Sequence, residues 1–128
     1  MAQKGRLLRA RFLVVLWQND WNFLGRTVMI VTVFRSRVKP EVQQEYMQWA
    51  SRMSALAKEM PGYISHKGFV AEDGEKVTIV EFESAEAQRA WSLHPEHVDA
   101  KKKGRKDFYV EYRVQVCEVL RDTGLRKK

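Results

Sequence analysis

The chain has 128 residues, is 45% apolar and carries a formal net charge of +7. That is enough for one domain with a real core and too little for two, and the apolar fraction excludes general disorder. The charge sits at the ends: Lys4, Arg6, Arg9, Arg11 and Arg26 against Asp20 put +4 on residues 1–28, Arg121, Arg126, Lys127 and Lys128 against Asp122 put +3 on residues 120–128, and residues 29–119 balance.

A nucleic-acid binder needs a basic face on its folded body, so no nucleic-acid partner is expected. The run Lys101-Lys102-Lys103-Gly104-Arg105-Lys106 reads instead as a solvated helix end, where cations favour the negative pole of the helix dipole. The single cysteine, Cys117, excludes an internal disulfide and is predicted to pack as a small apolar group. That usage points to the cytoplasm. The apolar run Phe12–Trp17 is too short for an export signal, and nothing approaches the roughly 18 apolar residues of a membrane span.

Residues 1–28 are basic and lack a clear helical or strand period. Met29 then opens a clean β-branched strand to Val38, so the first 28 residues read as an upstream extension that adds little to the core. Pro40 stops the strand and suits the first turn of a helix. Val42, Tyr46, Trp49, Met53, Leu56 and Met60 recur at spacings of three and four, giving that helix one apolar core face. Pro61-Gly62 ends it. Residues 63–71 read as a second strand, Asp73-Gly74 as a hairpin turn and residues 77–83 as the antiparallel partner. Ser84 is predicted to N-cap a helix through Trp91, Pro95 restarts the helix, and Gly104 follows its end. Residues 108–119 form the last strand, with Tyr109 and Tyr112 expected on opposite faces.

The order strand, helix, strand, strand, helix, strand is the split βαβ pattern: an α+β, ferredoxin-like βαββαβ fold with a four-stranded antiparallel sheet and helices on one face. Apolar residues occur on both strand faces, Val31 and Val33 on one and Ile30 and Phe34 on the other. Two such sheets are therefore expected to pack face to face in a homodimer.

Three stretches carry a resemblance: Met29-Ile-Val-Thr-Val-Phe-Arg-Ser-Arg37, Met60-Pro-Gly-Tyr63, and Trp91-Ser-Leu-His94-Pro-Glu-His97 with Gly104-Arg105 and Phe108-Tyr109. Together they make residues 29–121 resemble the antibiotic biosynthesis monooxygenase (ABM) domain, a dimeric α+β barrel, with residues 122–128 as a basic tail. The resemblance implies a cofactor-independent monooxygenase that oxidises a quinol-like or polyketide aromatic with O2. An easily oxidised substrate supplies the electron itself, so the protein binds, deprotonates and excludes water.

Trp91 and Phe34 would then shape the substrate pocket, joined by Tyr109, Tyr112 and His66, and His94 or His97 would be the general base. The bland readings stand beside these. Trp91 could simply pack on the sheet, His94 cap a helix and His97 sit in solvent. No metal site is expected, because the histidines lack a third ligand at useful spacing. A non-catalytic dimeric ligand-binding or stress-response module is the alternative. A haem-binding or haem-degrading protein is a third, and against it Phe34 and Lys101 stand where the haem-degrading branch has asparagine and histidine.

Overall fold

The computed structural model describes residues 28–128. The proposed N-terminal extension lies almost wholly outside them. Strand β1, Ile30–Val38, leads through a 3-10 turn, Pro40–Val42, into helix α1, Gln43–Glu59. Strands β2, Tyr63–Val70, and β3, Lys76–Phe82, form a hairpin. Helices α2, Ala85–Ser92, and α3, Pro95–Lys103, follow, then a π-helical turn, Gly104–Phe108, and strand β4, Tyr109–Glu118. All neighbouring strands are antiparallel and the sheet order is β2-β3-β1-β4. The ferredoxin-like α+β fold expected from the order of elements is the one observed.

The punctuation residues act as their chemistry requires. Ser84 Oγ accepts a hydrogen bond from the Ala87 amide at 3.1 Å, the usual use of an N-cap hydroxyl. Gly62 has φ +82°, and a Cβ there would lie 2.5 Å from that of Ala87. Both the left-handed turn and the close approach of α2 need glycine. Its carbonyl accepts from the Glu83 amide at 2.8 Å, which ties the turn after α1 to the end of β3.

Register sorts the side chains into two faces. Toward the helices, β3, β1 and β4 present the rows Phe82–Ile30–Glu118, Val80–Thr32–Val116, Thr78–Phe34–Val114 and Lys76–Ser36–Tyr112. Away from them lie Glu81–Val31–Cys117, Ile79–Val33–Gln115 and Val77–Arg35–Arg113. On this second face Arg35 bonds Glu75, and Arg37 holds both Asp73 and Glu111, which fastens the hairpin turn across the sheet. The Asp73 carboxyl is drawn below the ordinary range, first by the Glu75 amide and then by Arg37. Cys117 is exposed there rather than packed, because the helices lie on the other side of the sheet.

The main core lies at the Phe82 end, where Ala57, Phe82 and Trp91 are buried and Met53, Leu56, Met60, Tyr63, Val80 and Ala87 pack around them. Burying a side chain of this size stabilises by about 1.5–3 kcal/mol. The predicted apolar stripe of α1 follows this layer only in part. Trp49 is half-buried and lines an open groove of about 330 Å³ between α1 and α3, bridged by Arg52, whose Nε donates to Glu96 at 2.9 Å.

Candidate functional site

The sequence-predicted site residues form two groups and one outlier. The first group is the α2–α3 corner. Trp91 is buried in the core, and the His97 ring stacks on it with centroids 4.1 Å apart and planes inclined by 15°. Because a carbonyl only accepts, His97 Nδ1 donates to the Trp91 carbonyl at 2.9 Å. In the neutral ring Nε2 is then the basic nitrogen. Burial holds the His97 pKa below its ordinary value, against the pull of the Trp91 carbonyl.

His94 carries the opposite tautomer. Its Nδ1 accepts from the Glu96 amide at 3.2 Å and N-caps α3, while its ring packs 5.9 Å from Trp91. Lys101 Nζ donates to the Ser92 carbonyl at 2.7 Å, which draws α3 back onto the end of α2. Of the cations read as a solvated helix end, Lys101 and Lys103 are thus engaged, Lys103 with Glu45 and Asp107.

The second group gathers Phe34, Tyr109 and Tyr112. Sequence alternation placed the two tyrosines on opposite faces; the structure puts both on the helix side, their rings 5.4 Å apart and 5.6 and 6.2 Å from Phe34. The cause is a register shift. Ser36 pairs with Tyr112 and Arg37 with Glu111, but Val38 pairs with Tyr109, so Val110 is the extra residue of a bulge. One extra residue reverses the side of everything beyond it. Phe108 correspondingly belongs to the π-turn and not to the strand, and its ring is buried against Tyr46 and Trp49.

Around this group stand residues that the sequence assigned to core or left without a role. The Tyr46 ring meets that of Tyr109 edge-on with centroids 5.9 Å apart, burial raises the Tyr46 pKa, and Lys76 Nζ lies 4.8 Å above the Tyr46 ring while donating to Gln43 at 3.1 Å. The helical period that marks Tyr46 as inward-facing is the same for a core residue and a site residue, so pattern alone does not separate them.

Further along this face the strand β4 residues stay open although the helices lie on their side of the sheet. Tyr112 is 43% exposed, Val114 49% and Val116 53%. Beside them in the same rows, the buried Thr32 Oγ1 has no hydrogen-bond partner among the described residues. A buried hydroxyl left unpaired costs about 1–3 kcal/mol and asks for a partner. The outcome is an apolar shelf of Phe34, Tyr112, Val114 and Val116 with hydroxyls at both ends.

His66 belongs to neither group. It stands on β2 with Nε2 2.6 Å from Ser54 Oγ and Nδ1 2.6 Å from the Tyr63 hydroxyl, linking α1 to β2, and burial lowers its pKa. Trp91 packs beside the Phe82–Ile30 row and Tyr109 beside the Ser36 row. Six residues of extended strand, about 20 Å at 3.3 Å per residue, separate these rows.

Such a fold, with an open aromatic shelf between its sheet and helices, defines a class of small α+β domains, and comparison with known proteins agrees. The antibiotic biosynthesis monooxygenase family model matches residues 29–103. The chain belongs to that family. It is 37% identical over 89 residues to the uncharacterised protein YqjZ of Bacillus subtilis, a match covering 70% of this chain and 78% of YqjZ. Among solved structures, Rv0793 of Mycobacterium tuberculosis superimposes with a TM-score of 0.67 at 15% identity, over 75% of this chain and 99% of that one. SnoaB, a cofactor-independent oxygenase from Streptomyces nogalater, superimposes with a TM-score of 0.64 at 18% identity, over 76% and 97%. At these identities the two structures establish the fold.

Proposed function

We propose that this protein is a cofactor-independent monooxygenase that binds an electron-rich aromatic, a quinol or anthrone, on the Phe34–Tyr112 shelf and oxidises it with O2. The observation that carries this reading is the exposure of Tyr112, Val114 and Val116 on the helix side of the sheet, beside a Thr32 hydroxyl with no partner among the described residues. A flat aromatic would cover the apolar row and an oxygen substituent would satisfy Thr32. For an anthrone the methylene carbon loses a proton, the carbanion passes an electron to O2, the radical pair closes to a hydroperoxide, and loss of water leaves the quinone. His97, the base offered by the sequence, stands at the Trp91 corner about 20 Å along the sheet from the Ser36–Tyr112 end, so the first proton passes to solvent at the open edge of the shelf. Consumption of one O2 per 1,8-dihydroxyanthrone by the purified protein, lowered at least tenfold in Phe34→Ala, is the expected result. Absence of O2 uptake across a panel of hydroquinones and anthrones would sink the oxygenase reading.

The working form is a homodimer closed through the sheet face that carries Val31, Val33, Val77 and Ile79, apolar side chains that the protomer's own helices do not reach. Sedimentation of the wild type as a dimer and of Ile79→Asp as a monomer is expected. A monomeric wild type would contradict it. A second reading, a dimeric module that binds the same aromatic without oxidising it, is favoured by one observation. Both candidate bases bond backbone within the Trp91 corner, His94 to the Glu96 amide and His97 to the Trp91 carbonyl. As to setting, no described helix is long and apolar enough to cross a membrane.

A further inference from the structure

We propose that Tyr109 is the hydrogen-bond donor of the aromatic shelf and that it grips the oxygen of a phenolic or ketonic ring system lying on Phe34 and Tyr112. This deepens the aromatic-oxidation reading and rests on the same shelf. Two local irregularities aim the side chain. The Val110 bulge turns Tyr109 to the helix side, and the π-turn Gly104–Phe108 closes with the Tyr109 amide donating to the Gly104 carbonyl. Bulges and π-turns both cost regular hydrogen bonding and recur where a side chain must be re-aimed. Gly104 has ordinary helical φ, so its need is for space: a Cβ there would strike the Tyr109 ring edge at Cε2 and Cδ2.

The Tyr109 ring stands 5.6 Å from Phe34 and 5.4 Å from Tyr112, with the Tyr46 ring edge-on behind it at 5.9 Å, so its hydroxyl is the phenol of this cluster set between the shelf and α1. Burial, aided by the neighbouring Tyr46, pushes the Tyr109 pKa far above that of an ordinary phenol. Tyr109 therefore donates across the working pH range and never acts as the base.

The test is binding of two flat probes, 1,8-dihydroxyanthraquinone and oxygen-free anthracene, followed by quenching of tryptophan fluorescence. Tyr109→Phe keeps the ring and its packing. It should weaken the quinone about tenfold, the equivalent of one neutral hydrogen bond, and leave anthracene unchanged. Gly104→Ala, which displaces the ring, should match Tyr109→Phe. Equal weakening of both probes in Tyr109→Phe would reduce Tyr109 to packing, and equal binding of the quinone by Tyr109→Phe and wild type would remove the donor; either overturns the proposal, as does a wild type that binds neither probe. O2 uptake from 1,8-dihydroxyanthrone is read separately: wild type that binds the quinone with the predicted ratio yet consumes no O2 refutes the oxygenase and keeps the donor.

Discussion

The Trp91 corner and the Phe34 shelf are built from the same kinds of residue, aromatics flanked by polar groups, and differ in whether those groups are already bonded. At the corner, His94 caps α3, His97 bonds the Trp91 carbonyl and Lys101 bonds Ser92. At the shelf, the Thr32 hydroxyl is unpaired among the described residues, and three apolar side chains face outward on the side where the helices pack. A region whose hydrogen bonds close on themselves stabilises the fold, and one that leaves them open is prepared for something else. Aromatic and histidine content alone therefore does not tell these two regions apart.

Mutations should separate the two. Trp91→Ala removes a buried indole from the core and should cost about 3–5 kcal/mol in chemical denaturation. Phe34→Ala, at the partly open shelf, should cost about 1–2 kcal/mol on the same scale and weaken quinone binding strongly. Equal stability losses would erase the distinction. Gly62→Ala tests the junction that seats α2: a positive φ and a 2.5 Å contact with Ala87 predict a loss of about 1–3 kcal/mol with no effect on shelf binding. Ser84→Ala should cost about 1 kcal/mol, the value of an N-cap hydroxyl, read as a lower melting temperature.

The smallest effect is the pH dependence of the corner. The folded-state pKa of His97 lies below its unfolded value, chiefly through burial. Above the unfolded value, about 6.5, the ring is neutral in both states and its contribution is full. As pH falls through 6.5 the unfolded chain takes up a proton that the folded one resists, so stability declines toward pH 5. His66 acts in the same direction. His97→Gln should flatten the decline between pH 7 and 5, measured by urea denaturation at each pH. An unchanged slope would mean that His97 is not held neutral by its place against Trp91.

Much of the fold was legible in the chain because its signals are local. Pro40, Pro61-Gly62, Ser84, Pro95 and Gly104 each restrict the backbone where they stand, and the 3.6 and 2 periodicities name the elements between them. Of the candidate site, Phe34, Tyr109 and Tyr112 could be named from the sequence, but the cluster they form could not. Alternation assumes an unbroken pleat, and the bulge at Val110 arises from the pairing of β4 with β1, residues some seventy positions away.

By itself, then, the sequence determined the order of strands and helices, the helix caps and the family, since those depend on residues within a few positions of one another. Only the tertiary structure decided that Trp91 is core, that His94 is a cap, that His66 links α1 to β2, and that Tyr109 packs between Tyr46 and Phe34. Whether a polar group is spent or free depends on what long-range packing sets against it, and no local pattern carries that information.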